Sequence, residues 1–344
     1  MLKPGIHFGL SVAEYHADPA FSQSGIKTMA ISPLQYWDEY INPKKEPKNS
    51  TYEMEIGKAF EALLLEPLRF KEEYVEALKL PEYALRTVDD LKGYLREKGE
   101  KVTGTKAELT DRIINIDPDA PLADRMEHEF MNAHAGKTIV KSDDWQNIHT
   151  MADKYRKHPD SGLLLGGKVA YQVGVVWLED DVRMKALIDV LRPNCRYDLK
   201  TFSNSRRKNI EALVAETITR DYMMQAYTHT RGLYMAIEAI RQRKAGVYGS
   251  YDKDFLRELV AFPPEQSVFG FAFVESSRPY NITHRYVGCA GDTLIWNKTE
   301  IDYITAVNMY RECMAKFGTE NEWRPQTEAK IITDNDVPAY VMSR

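Results

Sequence analysis

The chain has 344 residues, 43% of them hydrophobic and 28% charged, which is typical of a globular protein with one large or two smaller domains. A formal net charge of -5 excludes general electrostatic attraction to nucleic acid, so DNA binding would need a local basic patch. The three cysteines lack CxxC spacing and fit neither a disulfide framework nor a cysteine zinc site, and no apolar run reaches membrane-spanning length. Because "MLKPGIHFGL" also lacks a signal-peptide segment, we expect a cytoplasmic protein.

Helices are predicted through the N-terminal part of the chain. Ser22 or Ser24 can cap a helix that begins with "GIKTMA". Ser32 is a predicted N-cap, because Pro33 follows it at the first helical position. The segment "YEMEIGKAFEALLLEP" has apolar residues at a helical period and is predicted to end at Pro67.

Residues 82–116 have the pattern of a separate module made of two short helices. Val88, Leu91 and Leu95 form one apolar stripe. The glycine-containing connector "KGEKVTGTK" leads to a second stripe in "LTDRIINI", and Thr105 is expected to cap that second helix. The proline and acidic residues of "DPDAPLAD" mark the end of the module.

From Lys168 onward the pattern changes to β-strands. The segments "KVAYQVGVVWLE", "VRMKALIDVLRP" and "RYDLKTF" are β-rich and separated by short turns, as in a meander. A long helix is predicted from Asn209 to about Lys244, followed by strands in "SVFGFAFVES" and "ITHRYVGC" and a final helix from Lys298 to Phe317. This order predicts a mixed α/β fold.

Charged residues within the apolar strand segments are the clearest sign of chemistry. Asp198 and Lys200 are two residues apart, so they emerge on the same face of a strand, and Asp189 ends the preceding strand. Converging carboxylates raise each other's pKa unless they share a cation such as Mg²⁺. A metal-bound water beside an ammonium can hydrolyse a phosphodiester. The alternative is a solvated D-x-K pair, although Asp189 within "ALIDVL" would be costly to bury without a partner.

The segments "ID", "YDLKTF" and "YMMQAY" together resemble the PD-(D/E)XK nuclease superfamily, specifically the exonuclease VIII (RecE-type) exonucleases of phages and prophages. The segments "SVAEYHADPAFSQSGIKTMAISPLQYW", "GKAFEALLLEPLRF" and "VESSRPY" are similar to further motifs of that family, so the resemblance covers most of the chain. It implies an α/β nuclease core, with a mixed central sheet flanked by helices, and Mg²⁺ or Mn²⁺ as cofactor.

The resemblance also implies roles for individual residues. Asp189 and Asp198 would be metal ligands, and the backbone carbonyl of Leu199 would complete the metal shell. Lys200 would be the catalytic lysine. Gln225 matches a glutamine of the family that helps to place the lysine strand or the DNA end.

Two positions depart from the family pattern. Glu61 stands where histidine is usual, and its carboxylate is either a hard oxygen ligand that replaces imidazole or a surface residue at a site that has lost a ligand. The family's tyrosine four residues after Gln225 is replaced by His229, which is either a site residue or a packed helix histidine.

Basic residues crowd the same region and are expected to form a groove for DNA phosphates, although such runs can also be solvated loops. They are Arg183, Lys185, Arg192, Arg196, Arg206, Arg207 and Lys208.

The module in residues 82–116 resembles a SAP motif, a helix–loop–helix DNA-binding module, through its leucines, Gly99 and "TGTKAEL". The resemblance implies that Thr105 and Lys106 lie near a phosphate-facing helix N-terminus. The module holds seven basic and seven acidic residues, so bulk attraction to DNA is not expected. It either binds DNA or serves as a protein-contact or oligomerisation arm.

These features predict three parts: an N-terminal part of the nuclease domain in residues 1–81, the SAP-like insert in 82–116 and the nuclease core in 117–344. The expected function is that of a metal-dependent exonuclease acting on double-stranded DNA ends. The resemblance implies 5′→3′ polarity, a ring-shaped homo-oligomer and an annealing protein that takes over the single-stranded overhang in phage-type recombination, in bacterial or phage-infected cytoplasm. The alternatives are an endonuclease of the same superfamily and a DNA-binding or assembly protein built on a degenerate nuclease core.

Overall fold

The computed structural model describes residues 1–46, 51–205, 208–263, 266–288, 293–324 and residue 333. The helices in these ranges are α1 (Val12–Ala17), α2 (Gln23–Ile31), α3 (Pro33–Tyr36), α4 (Tyr52–Leu65), α5 (Pro67–Glu73), α6 (Val88–Glu97), α7 (Lys106–Ile116), α8 (Ala123–Ala133), α9 (Ser142–Arg156), α10 (Gly162–Leu165), α11 (Ile210–Thr217), α12 (Met223–Arg241), α13 (Lys253–Ala261) and α14 (Leu294–Phe317). The strands are β1 (Gly5–His7), β2 (Phe21–Ser22), β3 (Tyr74–Glu76), β4 (Thr138–Val140), β5 (Ala170–Glu179), β6 (Val182–Arg192), β7 (Cys195–Phe202), β8 (Gly246–Tyr248), β9 (Val268–Glu275) and β10 (Ile282–Gly288). None of these helices combines the length and apolar character needed to cross a bilayer.

A mixed sheet in the order β10-β9-β7-β6-β5-β1-β8 forms the centre of the molecule. Strands β5, β6 and β7 pair antiparallel, as the predicted meander requires. Strand β9 then pairs parallel with β7 and antiparallel with β10. Side chains alternate between two apolar clusters, one covered by α2, α12 and α14 and the other by α4 and α9. The predicted mixed central sheet flanked by helices is therefore confirmed.

Most predicted helix boundaries follow from their capping residues. The Ser22 hydroxyl accepts a hydrogen bond from the N–H of Gly25, and that of Ser32 accepts one from Gln35. The predicted helix from Asn209 to Lys244 is instead interrupted, because a π-helical segment (Ile218–Tyr222) separates α11 from α12. The final helix begins earlier than predicted, at Leu294.

The SAP-like module has a small core of its own. Helices α6 and α7 both start with a reciprocal capping box, formed by Thr87 with Asp90 and by Thr105 with Glu108. The buried residues of this core are Leu91, Leu95, Leu109, Ile113, Ala120 and Leu122. They include most of the two apolar stripes that the sequence predicts.

The central sheet contains a fork between β6 and β7. These strands pair only next to their connecting turn, over the three positions from Val190↔Tyr197 to Arg192↔Cys195. Further along β6, the short strand β2 pairs with Met184 and Lys185 in place of β7. A gap therefore opens between β6 and β7 just beyond the last paired residues.

Candidate active site at the fork between strands β6 and β7

The predicted acidic residues meet at this fork. Asp189 and Asp198 each lie one residue beyond the last ladder pair, Val190↔Tyr197, so they face each other where the strands separate. Asp198 is only 2% exposed. Their side chains share a hydrogen bond, and Asp189 Oδ2 also accepts one from the Leu199 N–H at 3.3 Å. The structure thus brings together the two carboxyl groups that the sequence singled out.

The contact with Asp198 affects the protonation of Asp189. Burial raises the pKa of Asp189 well above its ordinary value, and the negative charges of Asp198 and Glu61 raise it further. The electrostatics of the fork therefore favour the protonated form of Asp189 when no cation is bound. A divalent cation would displace that proton, because it stabilises both carboxylates.

Lys200 supplies the positive charge at the fork. Its Nζ lies 2.6 Å from Asp198 Oδ2 and 4.9 Å from the centre of the Tyr222 ring. Burial lowers the pKa of Lys200, but the carboxylates of Asp198 and Asp189 outweigh this effect and hold the pKa above its ordinary value. Lys200 is thus a permanent ammonium near neutral pH, suited to stabilise negative charge and unsuited to accept a proton.

Gln225, on α12, is hydrogen-bonded to the acidic pair. Its side-chain amide donates to Asp198 Oδ1, whereas Lys200 lies next to the other oxygen of the same carboxylate. This contact fixes the orientation of Asp198, which places Gln225 at the predicted site as a positioning residue.

Glu61 approaches the fork from helix α4 and is partly buried. Burial, followed by the negative charge of Asp198, raises the pKa of Glu61 to about 6. Glu61 is therefore a carboxyl close to Asp198 rather than a solvated surface residue. In the described part of the chain, however, it does not complete a set of three ligand atoms lying within 4.8 Å of one another.

Gln172 is a site residue that the sequence reasoning missed. Its Nε2 donates to Glu61 Oε1 at 2.6 Å, and the side chain is buried. It lies opposite Asp189, between the ladder pairs Tyr171↔Val190 and Val173↔Ile188, and its φ of 49° is unusual for a residue other than glycine. A strained backbone at such a site is a mark of functional constraint. No spacing or motif in the strand segment points to it.

His229 is a packed helix histidine. It is buried on α12 with its ring 5.9 Å from that of Phe269. Burial lowers the pKa of His229 to about 4, so the imidazole is neutral under physiological conditions. Of the two alternatives left open by the sequence, the structure favours the packing role.

Four of the seven basic residues expected to line the predicted groove make internal contacts instead, whereas Lys208 is exposed beside Glu216. Lys185 is 5% exposed, and its ammonium donates to the backbone carbonyls of Tyr15 and Asp18 at 2.6 and 2.5 Å. It is therefore enclosed by the protein and not free to meet a phosphate, so the prediction that Lys185 binds DNA is wrong. Arg206 and Arg207, the other two predicted contacts of this region, lie outside the described residues.

Three further arginines of the expected groove also serve internal contacts. Arg183 forms an ion pair with Asp18 at 2.6 Å. Arg192 donates to backbone carbonyls in and just after α10, and buried Arg196 donates to Ser267. The guanidinium groups of these arginines bind acceptors within the protein, so the three residues do not form a basic surface although they are close in sequence.

The predicted phosphate contacts of the SAP-like module are exposed but engaged. The Thr105 hydroxyl accepts a hydrogen bond from the Glu108 N–H at 3.3 Å as part of the helix cap. Lys106 Nζ lies 2.8 Å from a carboxylate oxygen of Asp124, and both side chains are largely exposed. Such a surface pair is weak, so Lys106 can exchange Asp124 for another anion.

Comparison with known proteins adds one local match and one structural likeness. A family model described as the SAP domain matches residues 82–117, in agreement with the predicted module. No curated protein shows a significant match. Among solved structures, the chain is similar to a "Putative exonuclease" from Eubacterium rectale, at 13% identity and a TM-score of 0.44, with 88% of this chain and 85% of that chain covered.

The donor set at the fork fits a divalent cation with hard ligands. Asp198 Oδ2 is buried, and the Lys200 ammonium lies 2.6 Å from it as a counter-charge. The adjoining Asp189 carboxyl offers a second oxygen, and Glu61 is near enough to raise the local negative charge. Oxygen ligands of this kind suit Mg²⁺ or Mn²⁺.

Proposed function

We propose that the chain hydrolyses phosphodiester bonds in DNA, using the acidic cluster at the fork between β6 and β7. The observation that carries the proposal is the hydrogen bond between the partly buried Asp189 carboxyl and the buried Asp198 carboxyl, together with the ammonium of Lys200 2.6 Å from Asp198. A buried arrangement of this kind is costly to maintain for structure alone. It is the arrangement expected of a cluster that gathers a cation and a phosphate.

Asp189, Asp198 and Glu61 would hold Mg²⁺ or Mn²⁺, with the Leu199 carbonyl as a further oxygen ligand. The cation would supply Lewis-acid activation of a water nucleophile and of the phosphate. Glu61 must lose its proton to take part, and so must Asp189. These requirements predict higher activity on the alkaline side of the pKa of Glu61.

The other residues of the cluster act through charge and orientation. The Lys200 ammonium would stabilise the negative charge that develops on the phosphate in the transition state. Gln225 holds the Asp198 carboxylate from α12, and Gln172 holds that of Glu61 from β5. Both amides keep their partner carboxylates in place before substrate binds, which limits the reorganisation that the reaction requires.

DNA is the proposed substrate because residues 82–117 match the SAP domain, and a SAP motif implies DNA binding. The resemblance to RecE-type exonucleases supports the finer proposal of an exonuclease that acts on duplex ends with 5′→3′ polarity. It also supports a ring-shaped homo-oligomer and transfer of the overhang to a single-strand annealing protein, in phage-type homologous recombination.

The substrate specificity can be tested with three forms of one plasmid. Linear duplex, labelled at one 5′ end or one 3′ end, is incubated with the full chain and Mg²⁺ beside nicked and covalently closed circles. An exonuclease releases mononucleotides from the linear form and leaves the closed circle intact, and the label released first gives the polarity. Conversion of closed circles to nicked or linear products would establish the endonuclease alternative instead.

A second candidate function is DNA binding or assembly without catalysis, on a degenerate core. Two observations favour it: Glu61 is hydrogen-bonded to Gln172 and does not complete a compact set of three ligand atoms among the described residues. Lys200→Met distinguishes the candidates. In a nuclease this variant binds duplex DNA with affinity similar to that of the wild type but loses hydrolysis. In a binding protein neither form hydrolyses DNA in Mg²⁺ or Mn²⁺.

A further inference from the structure

A second group of metal-ligating side chains lies away from the fork. His158 and Asp160 belong to the turn that follows helix α9, where Pro159–Ser161 form one turn of 3-10 helix. His284 lies on strand β10, at the edge of the central sheet. One ligand atom from each of the three residues lies within 4.8 Å of the others.

The two histidines have ring nitrogens available for a ligand. Both nitrogens of His284 are buried, and neither forms a hydrogen bond with any residue that the structure describes. His158 Nδ1 accepts a hydrogen bond from the Asp160 N–H at 3.2 Å, which leaves Nε2 of the same ring for a ligand. A buried polar group without a partner is rare in folded proteins, so the His284 imidazole is the strongest candidate ligand of the three.

Asp160, the third residue of the group, carries a negative charge and is exposed to solvent. Asp160 is exposed, and its Oδ2 lies 3.9 Å from His158 Nδ1. The rings of His158 and His284 are 5.9 Å apart between centroids. An ion reaching the Asp160 carboxylate from solvent would therefore meet the two imidazoles beside it.

The sheet separates this group from Asp198 and Lys200. His284 pairs with Ala272 of β9, which pairs with Leu199 of β7. Leu199 lies between Asp198 and Lys200 in sequence, so its side chain points to the other face of the sheet from theirs. Ala272 and His284 are in register with Leu199 and share its face. The two groups therefore have separate surroundings as well as different ligand atoms.

We propose that His158, Asp160 and His284 bind a divalent transition-metal ion of the zinc class. Two imidazoles and one carboxylate are a borderline-soft set that favours Zn²⁺ or Co²⁺ over Mg²⁺. Three protein ligands leave a fourth position for water in tetrahedral coordination. The ion joins the end of α9 to the edge strand β10 and so anchors that edge of the sheet. The cysteine pattern gave no sign of such a site, because its ligands are histidines.

The test uses the full-length, tag-free, metal-stripped protein titrated with Co²⁺, whose visible absorption reports tetrahedral coordination. We expect one equivalent to bind with an intense visible band and to raise the melting temperature. His284→Ala should weaken binding at least about 100-fold, because it removes a direct ligand. His128→Ala, which changes an exposed histidine on α8, should leave binding unchanged.

Two further variants separate this site from the acidic cluster and from a loss of folding. Asp198→Asn should bind Co²⁺ like the wild type, because the Asp198 side chain is on the other face of the sheet from His284. Asp160→Asn changes an exposed residue and keeps the fold testable if His284→Ala proves unstable, and it should also weaken binding. Absence of the visible band in the wild type would overturn the proposal. Unchanged binding in Asp160→Asn together with lost binding in Asp198→Asn would do the same, whether or not the chain hydrolyses DNA.

Discussion

Replacing Glu61 with glutamine should stabilise the metal-free protein while abolishing the proposed activity. Burial and the charge of Asp198 raise the pKa of Glu61 from 4.5 to about 6. By linkage, ionising this carboxyl in the folded state costs about 2 kcal/mol above about pH 6, and the cost disappears below the unfolded-state pKa. Glutamine keeps an oxygen that can accept the hydrogen bond from Gln172 and removes the charge.

The effect is measured by urea unfolding of wild type and Glu61→Gln in EDTA. Near pH 8 the variant should be more stable by about 2 kcal/mol, which corresponds to a rise in melting temperature of about 3 °C for a chain of this length. Near pH 3.5, below the unfolded-state pKa, the two proteins should be equally stable. With Mg²⁺ present, the wild type should gain more stability than the variant, because the variant lacks a ligand.

Glu72→Gln is the matched control, since Glu72 is exposed on the neighbouring helix α5. It should change stability by less than about 0.5 kcal/mol at either pH. If Glu61→Gln were as stable as the wild type, or less stable, near pH 8, Glu61 would not be a carboxyl held against Asp198. The reasoning that places it in the acidic cluster would then be wrong.

Three other predictions concern the pH dependence of hydrolysis, a partly buried ion pair and the SAP-like module. The rate of DNA hydrolysis should rise with pH as Glu61 deprotonates. The inflection should lie at or below about pH 6, because bound Mg²⁺ favours the carboxylate. A flat pH–rate profile from about pH 5 to about 7 would contradict this. Arg231→Ala should lower the free energy of unfolding in urea by about 2 kcal/mol. The guanidinium lies 2.7 Å from the Glu179 carboxylate, which is 14% exposed and would lose its cation. A loss below about 0.5 kcal/mol would show that the pair is solvated. Lys106→Ala should reduce the salt dependence of duplex binding by about one counterion, because Lys106 exchanges Asp124 for a phosphate. Binding is measured by fluorescence anisotropy at several salt concentrations. An unchanged salt slope would exclude that contact.

The acidic pair could be anticipated because strand geometry is local. Two-residue spacing places Asp198 and Lys200 on one face, and a short turn after β6 brings Asp189 back beside them. The SAP-like module could also be predicted, since its two stripes and caps are contained in a short segment. In both cases the residues that interact are near each other in sequence, or are related by a simple period.

Contacts that depend on distant partners could not be anticipated. Gln172 reaches Glu61 from another part of the chain, and its left-handed backbone leaves no mark in the residue pattern. Lys185 was expected to bind DNA because the sequence shows that it is charged but not which groups it contacts. Its partners here are two backbone carbonyls. A basic segment in a sequence is therefore weak evidence for a DNA-binding groove until the burial of its side chains is known.

The most direct test of the proposed function compares wild type with Asp198→Asn on linear duplex DNA in Mg²⁺. The measurement is the rate of release of acid-soluble nucleotide, with duplex affinity and thermal unfolding recorded in parallel, and Asp143→Asn as a control on α9. We expect release by the wild type and the control, and a loss of about 100-fold or more in Asp198→Asn with DNA binding retained. Equal release by wild type and Asp198→Asn, or no release by any of the three in Mg²⁺ or Mn²⁺, would contradict the assignment of hydrolysis to the fork between β6 and β7.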